Sequence, residues 1–191
     1  MIYVVRHGQT ELNSAFALQG RSDHPLNDTG IAQARVAGEA LARLGIAFDR
    51  AYSSPLQRAI QTAELIAPGA SVMVDERLIE MDYGPYEGAD LKNPASEIIT
   101  FFSDFVHNPA PEGMEQLSSV VARTGAFVEE IAGERGNVLV STHAIAMKGI
   151  LEYLTPGSNG AYWSKNIANC AVYTVDNQGG KLGVPQELVL D

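Results

Sequence analysis

The sequence is poor in cysteine, in positive charge and in long apolar runs. Cys170 is the one cysteine among 191 residues. A single thiol closes no internal disulfide and supplies no cysteine-rich zinc site. No apolar run approaches the ~20 residues that span a bilayer. The chain opens directly into Ile2-Tyr3-Val4-Val5, without a basic leader, so a soluble cytoplasmic protein is expected. Thirteen Lys and Arg stand against 23 Asp and Glu, a formal charge of -10. That surface repels phosphate backbones and anionic lipid heads, so neither nucleic acid nor membrane is an expected partner. It leaves a homodimer open. The shortage of cations also makes any cluster of them informative. Histidine is scarce as well, with four in the chain.

What is present is an alternation of strand and helix patterns, within a length that fits one domain over 1–191. β-branched runs at 2–5 and 138–140 predict strands, with weaker candidates at 51–53 and 72–74 and late ones at 171–175 and 187–190. Ile31, Ala34, Gly38 and Leu41 have helical spacing, with Asp28 or Thr29 as cap. Ser54-Pro55-Leu56-Gln57 reads as a helix start with Ser54 as cap. Asn93-Pro94 opens a helix carrying Ile98, Phe101, Phe102 and Phe105. Leu117 through Ile131 form a long amphipathic helix stopped by Gly133, and 145–154 a buried one. The expectation is an α/β fold: three layers, α/β/α, around a mostly parallel, doubly wound mixed sheet. Ligands of such folds bind at the carboxyl ends of the strands.

Three predicted strands end in reactive residues. Arg6-His7-Gly8-Gln9-Thr10 follows the first, Ser53-Ser54-Pro55-Leu56-Gln57-Arg58 the second, and Ser141-Thr142-His143 the buried one at 138–140. Two guanidinium forks match phosphate oxygens. Arg58 lies in the first turn of its helix, where the dipole disfavours a cation unless an anion sits beside it. A neutral imidazole is a competent nucleophile toward phosphorus, and a second can steady the charge that builds. A carboxylic acid must protonate the leaving oxygen, with its pKa raised by burial or an adjacent carboxylate. Glu80 is the candidate; Glu76, Asp82 and Glu87 are the other carboxylates nearby.

These motifs resemble those of the histidine phosphatase superfamily, the phosphoglycerate mutase-like fold. Arg6-His7-Gly8-Gln9-Thr10 is similar to the family's opening signature, with Asn13 and Gln19-Gly20 at further pocket positions. Ser53 through Ala63 is similar to the second motif, Leu78-Ile79-Glu80 through Glu87-Gly88 to the acid segment, Pro111 through Glu115 to the turn before the long helix, and Val138 through His143 to the last motif, with Asn169-Cys170-Ala171 after it. The resemblance implies that His7 becomes phosphohistidine and that Glu80 protonates the leaving group and then deprotonates water. It implies that Arg6, Asn13, Gln19, Gly20, Arg58, His143 and Ala144 surround the phosphoryl group or substrate, and that no metal or other cofactor is needed. Ala144 departs from the family's frequent glycine. Phe16 and Ala17 stand where an arginine is frequent, which points to a less anionic leaving group.

The expected activity is therefore an acid phosphatase-type phosphomonoester hydrolase acting on a small phosphorylated metabolite, with residues 81–114 as a substrate-capping segment. A cofactor-dependent phosphoglycerate mutase is the main competitor. Mutases of the family usually carry a longer acid segment and tail, whereas 34 residues separate Glu80 from Glu115 here and the last strand lies near the end. A non-catalytic phospho-ligand module and a metal hydrolase using His7, His143 and a carboxylate are further alternatives. Arginines beside both ends of the site, Arg6 and Arg58, repel a metal. Read singly, Arg6 would pair with a surface carboxylate and His143 would be a core histidine. Tyr83, Tyr86, Phe101, Phe102 and Phe105 would be core aromatics; His24 and His107 read as surface residues.

Overall fold

The computed structural model describes residues 1–190. One mixed sheet runs β3-β2-β4-β1-β5-β6, from β1 (Ile2–Arg6), β2 (Arg50–Ser53), β3 (Val72–Val74), β4 (Val138–Thr142), β5 (Val172–Val175) and β6 (Gln186–Leu188). β3, β2, β4 and β1 are parallel neighbours; β5 and β6 add antiparallel strands at one side. β4 is buried along its whole length between β1 and β2. A strand covered on both faces explains its continuous Val-Leu-Val run.

The pleat sends alternate residues of β1 into two cores. Ile2 and Val4 pack with Phe127, Val128, Met147 and Ile150, from α5 (Leu117–Ile131) and α6 (Ala144–Leu154). Tyr3 and Val5 pack with Ala34, Leu41, Ala63 and Ile66, from α2 (Asp28–Arg43) and α3 (Gln57–Ile66). Helices thus cover both faces, giving the expected three layers. A third cluster lies above the strand ends. Met81, Tyr83, Ile98, Phe101 and Met114 there meet Leu18, Ile145 and Trp163, and α4 (Ser96–Ser103) belongs to it.

Several boundaries differ from expectation, each for a local reason. α2 is capped by Asn27, whose side chain accepts from Gly30 N, so neither Asp28 nor Thr29 is the cap. Ser54 does not cap α3; Asp23, from a distant loop, accepts the Gln57 backbone N–H at 2.8 Å. α4 begins after Pro94 and stops before Phe105, because Asp104 turns extended and its carboxylate accepts the N–H groups of Val106 and His107. The last strand ends at Leu188 rather than residue 190. A short helix, α1 (Glu11–Ala15), was not foreseen; Thr10 and Asn13 cap it reciprocally. No helix among the described residues is long and apolar enough to cross a membrane.

Candidate active site

Parallel β2, β4 and β1 are adjacent, so their carboxyl ends bring Ser54, His143 and His7 to one place. Gly8 lets this happen. A Cβ there would stand 2.5 Å from the Gly30 carbonyl oxygen, so the turn after β1 can press against the start of α2 only without a side chain. Gly8 N then donates to Thr62 Oγ1, which donates to the Arg58 carbonyl, tying this turn to α3. Asn169 Nδ2 holds the His7 carbonyl.

The two imidazole rings lie 5.1 Å apart between centroids. Arg58, fully buried, places its Nε–H between them, 3.3 Å from His7 Nε2 and 3.2 Å from His143 Nδ1. Its terminal nitrogens donate to the carbonyls of Gly20 and Ser22. Burial lowers the His7 pKa well below the usual 6.5, helped by Arg58 and Arg6; burial does the same to His143, helped by Arg58. Both rings are therefore neutral at pH 7, and their hydrogen-bond partners decide which nitrogen carries the proton. His7 Nδ1 lies 2.6 Å from the Gly8 carbonyl and must carry the proton, so Nε2 presents a lone pair. His143 Nδ1 accepts from Arg58, so its Nε2 proton goes to Ser54 Oγ, 2.7 Å away.

Arg6 donates through Nη1 to the Ile167 carbonyl, while its buried Nε has no partner among the described residues. Gln19 is similar. Its side-chain carbonyl accepts from Thr10 and Asn13, and its buried Nε2 has no partner. Two buried donors without acceptors beside a lone-pair-bearing nitrogen suit an anion. Burial lowers the pKa of Arg58 to about 10 and depresses that of Arg6 as well.

Glu80 is buried at the N-terminus of α6. Its carboxylate accepts from the N–H groups of Met81, Ile145 and Ala146 at 2.9–3.1 Å. Glu87 is engaged elsewhere, accepting from Gly20 N, Ser22 N and Ser22 Oγ.

A cleft of about 510 Å³ opens over these groups. Arg6, His7, Asn13, Gln19, Glu80 and Ala144 line it. Arg58 and His143 lie behind it. Gly20 is not in its wall: a Cβ there would stand 2.6 Å from the Met81 carbonyl oxygen, so this glycine serves loop packing. Tyr83, Phe102 and Phe105 do face the cleft, whereas Phe101 is core. Lys148 and Trp163–Asn166 also line the wall; of these, Lys148 carries no motif in the sequence. Lys148 lies one helical turn beyond Ala144, a spacing that offered the only hint.

This geometry has parallels in known proteins. The family model of the histidine phosphatase superfamily (branch 1) matches residues 2–186. "Putative phosphoserine phosphatase 2" of Hydrogenobacter thermophilus is 31% identical over 94% of this chain and 91% of its own. The 2,3-bisphosphoglycerate-dependent phosphoglycerate mutase of Azorhizobium caulinodans is 35% identical over 82% of this chain and 83% of its own. The crystal structure of an Entamoeba histolytica phosphoserine phosphatase mutant with phosphoserine superposes with a TM-score of 0.82, at 24% identity, covering 99% of this chain and 95% of that one. The chain belongs to the histidine phosphatase superfamily, and its fold is the phosphoglycerate mutase-like α/β fold. Members are phosphatases or mutases. A relative named as a mutase matches over most of its length, so the shortness of 81–114 does not by itself separate the two activities.

Proposed function

We propose that this chain is a metal-independent phosphomonoesterase that works through a phosphohistidine on a small phosphorylated metabolite in the cytoplasm. The observation that carries this reading is His7: a buried, neutral ring whose Nδ1 proton is committed to the Gly8 carbonyl and whose Nε2 lone pair faces a guanidinium. In the first step Nε2 attacks phosphorus, the ester P–O bond breaks, and the leaving oxygen takes a proton by way of Glu80, whose Oε2 accepts a single backbone N–H and keeps a lone pair for it. In the second, water attacks the phosphohistidine, its proton passes to the Glu80 carboxylate, and the P–N bond breaks to release phosphate. Arg6, Arg58, Asn13 and Gln19 hold the phosphoryl oxygens. His143 joins them once a phosphoryl oxygen replaces its Nδ1 as acceptor of the Arg58 Nε–H: the Ser54 hydroxyl then donates to Nε2, and the ring carries its proton on Nδ1, facing that oxygen.

The guanidinium between the two rings argues against a metal there, because it opposes a second cation. The far end of the cleft argues for hydrolysis over mutase chemistry. A bisphosphate needs a second dianion site. Away from Arg6 and Arg58, Lys165 is paired with Glu187, Arg21 on a nearby loop is paired with Asp82 and Glu115, and Lys148 alone is a single charge, half of what a dianion matches. The mutase reading is supported by relatives that bear that name, the Azorhizobium protein at 35% identity and others at 31–33%. Supplying 3-phosphoglycerate with a trace of bisphosphate tests the choice. Phosphate release is expected; rapid interconversion with 2-phosphoglycerate without release would overturn it. A phosphate-binding protein that turns over no monoester would instead be a binding module.

A further inference from the structure

One buried cation in the cleft has no role in the chemistry above. Lys148 is 9% exposed and lines the cleft on the same face of α6 as Ala144. Its Nζ donates to the Trp163 carbonyl at 2.7 Å and lies 5.6 Å from the centre of the Phe105 ring. No carboxylate among the described residues pairs with it. Glu80 favours the ammonium through space but forms no ion pair with it; the Glu80 carboxylate accepts from three backbone N–H groups instead. An ammonium has three donors, and one carbonyl and one ring face satisfy it only in part. A buried ammonium with donors left over and no direct ion pair is the kind of group that gathers at functional sites.

Resting on the phosphatase reading, we infer that Lys148 binds a carboxylate on the alcohol portion of the substrate, so that the enzyme selects phosphorylated hydroxy acids over neutral phosphomonoesters. One ammonium matches one negative charge; the phosphoryl end of the same cleft uses two guanidinium groups for a dianion. Tyr83, Phe102, Phe105 and Trp163 give the cleft an aromatic wall, a low-polarity surround that strengthens such a pair. The missing arginine at Phe16 and Ala17 is then no sign of an uncharged leaving group. The counter-charge comes from α6 instead.

The test compares kcat/KM for 3-phosphoglycerate and glycerol 3-phosphate, which differ by carboxylate against hydroxymethyl. The wild type should prefer the carboxylate. In Lys148→Met that preference should fall roughly 10- to 100-fold, the worth of a hydrogen bond to a charged group, mainly through KM. Lys148→Arg should retain most of it. An equal loss on both substrates would mean that Lys148 only anchors the Trp163 loop, and would overturn the inference. So would a wild type indifferent to the carboxylate, or one that favours a bisphosphate more strongly. Calorimetric binding of both esters to His7→Ala, with and without Lys148→Met, gives the same comparison without turnover. A failure of the phosphatase reading is thereby separable from a failure of this one.

Discussion

Inorganic phosphate should stabilise this protein against heat, by an amount the site allows one to bound. Arg58 is fully buried, and its pKa falls from 12.5 to about 10 because burial disfavours the charged form. That difference corresponds to on the order of 3 kcal/mol against the charged, folded state. The sign follows directly: the cost is present at every pH below about 10 and is relieved only as the guanidinium loses its proton above that. A bound dianion relieves it at neutral pH, together with the unpartnered donors of Arg6 and Gln19. At a hundredfold excess over Kd, linkage gives about 2.7 kcal/mol. At about 2–4 °C per kcal/mol for a chain of this size, Tm should rise by about 5–11 °C. Scanning calorimetry at pH 7, with phosphate against chloride at equal ionic strength, reads this directly. Arg58→Lys keeps the charge and loses the fork, so its shift should fall below half of the wild-type shift. No shift in the wild type, or an undiminished one in Arg58→Lys, would refute the reasoning.

Three other outcomes follow from the same geometry. His7 and His143 are held neutral in the folded state, so the unfolded chain takes up more protons as pH falls below about 6.5; stability should drop there by up to about 2–3 kcal/mol per pH unit, measured by urea midpoints at pH 7 and 5, and His7→Gln/His143→Gln should flatten the slope. Glu80→Gln should slow alkyl phosphates by roughly 10²–10⁴ and largely spare aryl esters with good leaving groups, as single-turnover rates will show. Ser54→Ala removes the tautomer partner of His143 and should lower kcat more than it raises KM, which steady-state kinetics on one alkyl ester separates.

The parts of the site readable from sequence are those carried by contiguous motifs at strand ends. His7, Arg58 and His143 stand next to β-branched runs, and the topology that gathers them follows from strand and helix alternation alone. What escaped depends on distant partners. Ser54 looks like a helix cap, yet Asp23 caps α3 from a separate loop and leaves Ser54 for His143. Lys148 sits in an apolar helix, and only the folding of residues 163–166 over α6 makes it a cleft residue. Glu87 looked like a second acid, but its carboxylate holds the 20–22 loop, whose carbonyls in turn hold Arg58. Phe102 and Phe105 share helical spacing with core residues, so period alone could not tell wall from core.

The account is tested most directly by quenching the wild type in mid-turnover with a labelled monoester and mapping the label by mass spectrometry under alkaline conditions. One acid-labile phosphoryl group on His7 is expected, absent in His7→Ala. Steady turnover with no labelled histidine, or label on another residue, would contradict it.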